Sequence, residues 1–177
     1  MDAVMHLAAL ISVPESIKDP VLTNDVNVNG TLNLLNACVD FGVKRFVYAS
    51  SCAVYGNAES LPIKEGCPAM PESPYGVSKL VAENYVQAYY EDFGLGTVCL
   101  RYFNVYGPRQ VYNDYSGVIT QFISRLAKGL PLVIFGDGEQ TRDFVHVQDV
   151  AEANMLALKM AELQEKRSIL ALVYPRR

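Results

Sequence analysis

The stretch Pro74-Tyr75-Gly76-Val77-Ser78-Lys79 is followed by a run of good helix formers and apolar residues. We predict a helix that begins at Pro74 and ends near Gly94, because a glycine favours helix termination. Tyr75 and Lys79 are four residues apart, which places both side chains on one face of this helix. A tyrosine pKa of about 10 is too high for a base at neutral pH, and a lysine ammonium one turn away would favour the phenolate. For this spacing alone, an amphipathic helix with a surface Tyr/Lys pair is the simpler interpretation.

Polar side chains follow the two predicted strands on either side of this helix. The segment 44–49 is rich in β-branched and aromatic residues and leads to Ser51, and the similar segment 97–102 leads to Asn104. The carboxyl ends of parallel strands border the crevice in which open α/β sheets bind ligands. We therefore expect the Tyr75 phenolate to remove a proton from a substrate hydroxyl whose oxygen Ser51 hydrogen-bonds. Since no side chain can accept hydride from the carbinol carbon, a nicotinamide cofactor is predicted.

The remaining elements alternate between short apolar segments and longer amphipathic ones. The further predicted strands are 2–9, 133–135 and 144–147, and the further predicted helices are 21–41, 118–128 and 149–160. Strands that alternate with helices indicate a parallel sheet with helices on both faces, so we predict an α/β fold with a doubly wound sheet. Arg142 and Asn104, which lie close to strand ends, suit a substrate that carries phosphates.

The composition excludes several classes of protein. A chain of 177 residues can form one domain with a sizeable core, and half of its residues are hydrophobic. The net charge of −4 and the lack of a basic stripe give no reason to expect nucleic acid. No apolar run reaches the length of a membrane span. The four cysteines are widely spaced, with no histidine pair nearby, so we expect reduced thiols in a cytoplasmic protein and no metal site.

Seven sequence blocks occur in order over most of the chain and resemble those of a known family. They are His6-Leu7-Ala8-Ala9, Asn27-Val28-Asn29-Gly30-Thr31, Ser50-Ser51-Cys52-Ala53-Val54-Tyr55-Gly56, Tyr75-Gly76-Val77-Ser78-Lys79, Arg101-Tyr102-Phe103-Asn104-Val105-Tyr106-Gly107-Pro108-Arg109, Tyr115-Ser116-Gly117-Val118-Ile119 and Gly136-Asp137-Gly138-Glu139-Gln140-Thr141-Arg142-Asp143. On these blocks the chain resembles the NAD-dependent epimerase/dehydratase family of extended short-chain dehydrogenases, and within that family it is most similar to the UDP-hexose 4-epimerases.

The resemblance implies which residues bind NAD and a UDP-sugar. The implied catalytic residues are Ser51, Tyr75 and Lys79. The residues implied to contact NAD are Leu7, Ala8, Ala9, Asn27, Ser50, Tyr75, Lys79 and Phe103. The residues implied to hold the UDP-sugar are Ser51, Asn104, Val118 and Arg142.

The implied reaction is the NAD-dependent 4-epimerisation of a UDP-hexose, either UDP-glucose and UDP-galactose or their N-acetyl forms. It would pass through a transient 4-keto sugar with Tyr75 as the base. One alternative is a sugar-nucleotide dehydratase or decarboxylase, but Cys52 and Ala53 stand where the similar dehydratases have the acid and base for water loss. Another alternative is a non-catalytic remnant that binds a nucleotide sugar or a partner subunit.

The resemblance also implies that the chain covers the family fold in part. The family begins with a βαβ unit whose Gly-rich turn holds the NAD pyrophosphate, and no glycines here form that motif. We therefore expect a partial Rossmann-like sheet that lacks the first βαβ unit and is incomplete at both ends. The expected divisions are 1–103 for the NAD-binding domain, 104–142 for part of a small substrate-binding subdomain, 143–160 for a strand and helix that return to the main domain, and 161–177 for an atypical tail. The family's dimer implies a homodimer formed through helices 21–41 and 74–93.

Overall fold

The computed structural model describes residues 1–58, 61–112, 116–134 and 136–159, together with the backbone of 169–171. Its strands are β1 (Ala3–His6), β2 (Arg45–Ser51), β3 (Gly96–Tyr102), β4 (Asn104–Tyr106), β5 (Phe144–His146) and β6 (Ile169–Ala171). Its α-helices are α1 (Val13–Lys18), α2 (Pro20–Asn24), α3 (Gly30–Asp40), α4 (Pro74–Phe93), α5 (Val118–Ala127) and α6 (Val147–Lys159). A π-helical turn (Asp25–Asn29) joins α2 to α3, and a 3₁₀ turn (Cys52–Tyr55) follows β2.

The main sheet of the described part is parallel throughout and has the strand order β1-β2-β3-β6. In its register Ala3 pairs with Arg45, which in turn pairs with Gly96. The parallel pairing confirms the predicted α/β fold, because parallel neighbours need crossover connections such as α4, which joins β2 to β3.

Both faces of this sheet are covered by helices. Successive side chains of a strand point to opposite faces, and accordingly Phe46 and Tyr48 pack with residues of α3 and α4. Val47, which lies between them on β2, packs instead against Ala157 of α6. The predicted doubly wound arrangement is therefore confirmed for these helices, and the carboxyl end of β2 lies between the two layers.

The helix predicted at 21–41 is present but is not a regular α-helix. Asp19 caps its start, since its side chain accepts a hydrogen bond from the backbone N–H of Leu22 at 2.9 Å. The π-helical turn then interrupts it at Asp25–Asn29. Gly42, with a φ of +64°, follows its end as predicted.

Several elements differ from those predicted. The structure adds α1, β4 and β6 to the predicted elements. A strand at 133–135 was expected, but Val133 and Ile134 lie in an irregular segment, and residue 135 falls outside the described part. β4 pairs in parallel with β5, with Asn104 opposite Phe144, and forms a second, two-stranded sheet. The expected divisions of the chain remain predictions.

Candidate active site

An apolar cavity of about 480 Å³ lies at the carboxyl end of the main sheet, between α4 and α6. Its walls come from both helical layers and from the segments that follow β1 and β3. The lining residues are Met5, Leu7, Ala9, Ile11, Ala49, Ser50, Tyr75, Lys79, Tyr102, Val105, Val147, Val150, Ala151, Asn154 and Met155. Such an apolar cavity with a few polar groups on one wall is typical of a cofactor or small-molecule site.

Tyr75 is brought to this cavity by the start of α4. Ser73 caps the helix, because its hydroxyl accepts a hydrogen bond from the Gly76 N–H at 3.1 Å, and Pro74 occupies the first helical position. The Tyr75 N–H donates to the Ser16 hydroxyl on α1 at 3.1 Å. The first turn of α4 is therefore anchored on both sides, with Tyr75 only 9% exposed.

Ser51 lies beside Tyr75, and its hydroxyl group can donate a hydrogen bond. Its hydroxyl oxygen accepts a hydrogen bond from the Ala53 N–H at 3.2 Å, in the turn that follows β2. Because this interaction uses a lone pair, the hydroxyl proton stays available. The Ser51 hydroxyl also hydrogen-bonds the Tyr75 phenol and acts to lower its pKa.

Burial nevertheless dominates at Tyr75 and raises the pKa of its phenol, against the lowering by Ser51, while the Cys52 thiol also raises it. The net shift of the Tyr75 pKa is therefore upward, opposite to the direction expected from the spacing to Lys79. The Lys79 ammonium lies 6.0 Å from the centre of the Tyr75 ring and donates to the Ala49 carbonyl at 2.8 Å.

Lys79 is itself unusual, since it is only 3% exposed. Burial lowers its pKa to about 8, and the negative charge of Glu83 partly offsets this by raising it. The ammonium also lies 4.9 Å from the centre of the Tyr48 ring. Lys79 can therefore gain or lose its proton close to neutral pH, which is a property of residues in functional sites.

Ser50 and Ser51 present opposite hydrogen-bonding properties. The Ser50 hydroxyl donates to the buried carboxylate of Glu83, so that its lone pairs remain for the cavity. Arg101 holds the same carboxylate from β3, with its Nε 2.9 Å from Oε1 and its Nη2 2.6 Å from Oε2. Ser50 can therefore act only as an acceptor toward the cavity, whereas Ser51 can act as a donor.

Asn27 is not among the residues that line the cavity, and its implied contact with NAD stays a prediction. It is 1% exposed, and its side-chain amide accepts from the Leu10 N–H at 2.8 Å and donates to the Leu10 carbonyl at 2.9 Å. The same amide donates to the Ser78 hydroxyl at 3.0 Å. Asn27 thus ties the segment after β1 to α4, and it acts on the cavity wall at Ala9 and Ile11 through that segment.

His6 is a buried histidine on β1 with a structural role. Its Nε2 lies 3.0 Å from the Thr31 hydroxyl, which itself donates to the Asn27 carbonyl at 2.6 Å. The hydroxyl therefore accepts from His6, which must carry its proton on Nε2. Burial, followed by the Lys79 charge, lowers the pKa of His6 and keeps the ring neutral.

The residues implied to hold a sugar nucleotide are brought together only in part. The Asn104 amide donates to the Asp143 carbonyl at 2.9 Å, which places the segment before β5 beside the start of β4. The exposed Arg142 guanidinium donates to the Thr141 carbonyl at 2.8 Å, and its charge lowers the pKa of the Cys52 thiol, although burial raises that pKa more. Val118 is the exposed first residue of α5.

Of the residues implied to contact the cofactor, Leu7, Ala9, Ser50, Tyr75 and Lys79 line the cavity, and Ala8 and Phe103 do not. Sequence reasoning missed the contribution of α6, whose lining residues are Val147, Val150, Ala151, Asn154 and Met155. The signal available in the sequence was the polar Asn154 on an otherwise apolar helix face. Its amide accepts from the Tyr102 hydroxyl at 2.8 Å.

In the described part of the chain, no group of three or more His, Cys, Asp or Glu side chains is placed to hold a metal ion. The same described residues contain no helix that is long and apolar enough to cross a bilayer.

The sequence pattern of the NAD dependent epimerase/dehydratase family matches residues 1–171. Among curated relatives, the UDP-glucose 4-epimerase of Azospirillum brasilense is 42% identical over 171 residues, which cover 89% of this chain and 49% of that protein. The chain spans about half the length of the curated relatives it matches.

Solved structures of an epimerase and a dehydratase both match this fold. The UDP-N-acetylglucosamine 4-epimerase from Methanobrevibacter ruminantium M1, in complex with UDP-N-acetylmuramic acid, has a TM-score of 0.91 and 41% identity, and the match covers 97% of this chain and 54% of that chain. The dTDP-glucose 4,6-dehydratase from Streptomyces venezuelae, with NAD bound, has a TM-score of 0.83 and 34% identity, with 97% and 51% covered. The shared fold therefore accommodates two reaction types.

Proposed function

Because the chain belongs to the NAD dependent epimerase/dehydratase family, we propose that it carries the catalytic residues of an NAD-dependent UDP-hexose 4-epimerase. The substrates would be UDP-glucose and UDP-galactose or their N-acetyl forms. The observation that carries this proposal is the placement of Tyr75 and Lys79 on one wall of an apolar cavity, with Ser51 beside Tyr75.

The cavity suits the nicotinamide and ribose of NAD. A flat, weakly polar ring fits between apolar residues such as Val105 and Val150, and the polar wall formed by Ser50, Tyr75 and Lys79 suits ribose hydroxyls and a carboxamide. NAD, when bound, would supply the hydride acceptor that the side chains lack. The residues Leu7, Ala9, Ser50, Tyr75 and Lys79 would hold it.

The proton transfer would be carried out by Tyr75. Its phenolate would take the proton of the sugar 4-hydroxyl, and the Ser51 hydroxyl would donate to the same oxygen. The positive charge of Lys79 would favour the phenolate over the phenol. After the transient 4-keto sugar rotated to present its other face, hydride would return to C4 from that face, and Tyr75 would give its proton back to the 4-oxygen.

Cys52 and Ala53 favour epimerisation over dehydration. Water loss from a sugar requires an acid and a base in addition to Tyr75. Burial raises the pKa of the Cys52 thiol and keeps it protonated, and an alanine methyl has no proton to exchange. Epimerisation needs, besides hydride transfer, only the proton exchange that Tyr75 would carry out.

Asn104 and Arg142 would contact the nucleotide part of the substrate. The guanidinium of Arg142 is exposed and suits a diphosphate. The Asn104–Asp143 hydrogen bond supports this placement, since it holds the segment that carries Arg142 next to β4. Val118 would contact the substrate from the start of α5.

A homodimer is the proposed assembly, and exposed apolar side chains on the two implied helices support it. Val21 is 77% and Phe41 is 81% exposed, which is unusual for large apolar side chains unless another surface covers them. On α4, the exposed side chains are Val77, Tyr85 and Phe93. We also propose a cytoplasmic location, because all four cysteines are free thiols.

A chimera tests the proposed function. The segment of the Azospirillum brasilense relative that matches this chain is replaced by residues 1–159, and the purified protein is incubated with UDP-glucose or UDP-N-acetylglucosamine. We expect the 4-epimer of at least one sugar to form, as resolved by chromatography. A dehydrated product would support the dehydratase alternative. A folded chimera that binds NAD but converts neither substrate would support the non-catalytic alternative.

A further inference from the structure

Glu83 lies on the face of α4 that carries Tyr75 and Lys79. These three residues are spaced at intervals of four, so they follow one another along the helix. All three are buried. A buried carboxylate is costly unless it is paired, and one that contacts neither substrate nor cofactor needs a reason to be there.

The side chains of Arg101 and Ser50 bind the Glu83 carboxylate. Arg101 of β3 binds both of its oxygens, at 2.9 Å and 2.6 Å, in a buried fork-like pair. The guanidinium carbon of Arg101 lies 4.6 Å from the centre of the Tyr55 ring. The Ser50 hydroxyl of β2 also contacts the Glu83 carboxylate and donates to its Oε1. The carboxylate is thus fixed in position by groups on two strands.

We propose that Glu83 is a positioning residue of this site, which orients the Ser50 hydroxyl and supplies the negative charge that balances the Lys79 ammonium. This inference rests on the proposed function, since it assigns a task to Ser50 and Lys79 in that reaction. Glu83 acts through these two side chains and does not itself contact the cavity. Arg101 anchors Glu83 in turn.

The effect on Ser50 is geometric. A serine hydroxyl that donates to a fixed carboxylate presents only lone pairs elsewhere. The wall of the cavity at Ser50 therefore recognises a donor group, such as an amide NH₂ or a ribose hydroxyl. Without Glu83 the hydroxyl could rotate and lose this preference.

The effect on Lys79 is electrostatic. The titratable groups that face Lys79 are His6 on β1, Tyr48 on β2, and Tyr75 and Glu83 on α4. Cys99 and Arg101 on β3 interact with Glu83. Burial lowers the pKa of Lys79 to about 8, and Glu83 is the group that raises it. Loss of the Glu83 charge would therefore lower the pKa of Lys79 further and reduce the charged fraction of Lys79 at neutral pH.

The titration of Lys79 in this chain, without NAD or substrate, tests the proposal. The protein is labelled with ¹³C at the lysine ε-carbons, and the Lys79 resonance is assigned with Lys79→Met. We expect a midpoint near pH 8 for the parent protein and a midpoint lower by about 1 pH unit or more in Glu83→Gln. Glu91→Gln, which removes an exposed carboxylate from the same helix, should leave the midpoint unchanged.

An unchanged Lys79 midpoint in Glu83→Gln would overturn the proposal. Since Arg101 would be left without its partner, that variant can fail to fold, so the double variant Glu83→Gln/Arg101→Met provides a second test with the same expected direction. If neither variant folds by circular dichroism, Glu83 is a folding determinant and the proposal is overturned. Because no turnover is measured, the outcome is independent of the chimera experiment.

Discussion

Gly76 lies so close to Ala53 that a β-carbon at position 76 would fall 2.7 Å from the Ala53 carbonyl oxygen. This close approach of two backbones places the start of α4 against the turn that follows β2. It also brings Tyr75, which lies on α4, next to Ser51, which lies at the end of β2. The site therefore requires glycine at position 76, because a larger residue would not allow this close approach.

Gly76→Ala is expected to destabilise the protein by about 1–3 kcal/mol, since backbone atoms must move to admit the methyl group. Gly30→Ala is the matched control. Gly30 is also helical, but a β-carbon there meets nothing within 4 Å, and a compatible Gly→Ala change stabilises by about 0.4–1 kcal/mol. Urea unfolding of both variants measures the effect. Equal stability of the two variants would contradict the account of Gly76.

Lys79 should make the stability of the protein depend on pH. Its pKa falls from 10.5 in the unfolded chain to about 8 in the fold, so the unfolded state binds more protons between these values and stability rises with pH across that window. Burial of the charged lysine therefore lowers the free energy of unfolding by about 3 kcal/mol below pH 8. This destabilisation disappears above pH 10.5. The variant Lys79→Met should lack this pH-dependent destabilisation.

The measurement is the difference in unfolding free energy between the parent protein and Lys79→Met at several pH values. The comparison with the variant is needed because burial raises the pKa of Tyr48, Tyr75 and Cys99, which lowers stability in the same alkaline range. We expect the unfolding free energy of the parent protein to rise relative to that of Lys79→Met from pH 8 to 10.5. A constant difference would show that Lys79 keeps its ordinary pKa.

Elements were predicted correctly where local sequence signals agree with the tertiary structure. The start of α4 was predicted correctly because Pro74 and the residues after it favour the same helix that packing selects. The strands β2 and β3 were also recognised, since their buried apolar runs fit a sheet that is covered on both faces.

Features that depend on distant parts of the chain were not predictable in the same way. The strand β4 has three residues and exists because it pairs with β5 some forty residues later. The apolar segment at 133–134 resembles a strand but has no partner strand in the described part, so it stays irregular. The Tyr75 pKa was misjudged because the spacing to Lys79 reveals a neighbour but not the depth of burial.

The proposed homodimer predicts that a charge at the exposed helix faces reduces association. Val21→Glu on α2 and Val77→Glu on α4 should each convert dimers into monomers, because a carboxylate would be buried without a partner. Ile123→Glu on α5, also an exposed apolar position, serves as the control and should leave the dimer intact. Light scattering after gel filtration gives the mass. Dimers that survive both substitutions would exclude this interface.

Tyr75→Phe in the chimera tests the central claim most directly. The variant removes the phenol oxygen that takes the proton and keeps the ring that packs at the cavity wall. We expect the rate of UDP-sugar epimerisation to fall by about 10²-fold or more, while NAD binding, measured by calorimetry on the same protein, stays close to that of the parent chimera. Epimerisation at the parent rate in Tyr75→Phe would show that another group moves the proton and would contradict the mechanism.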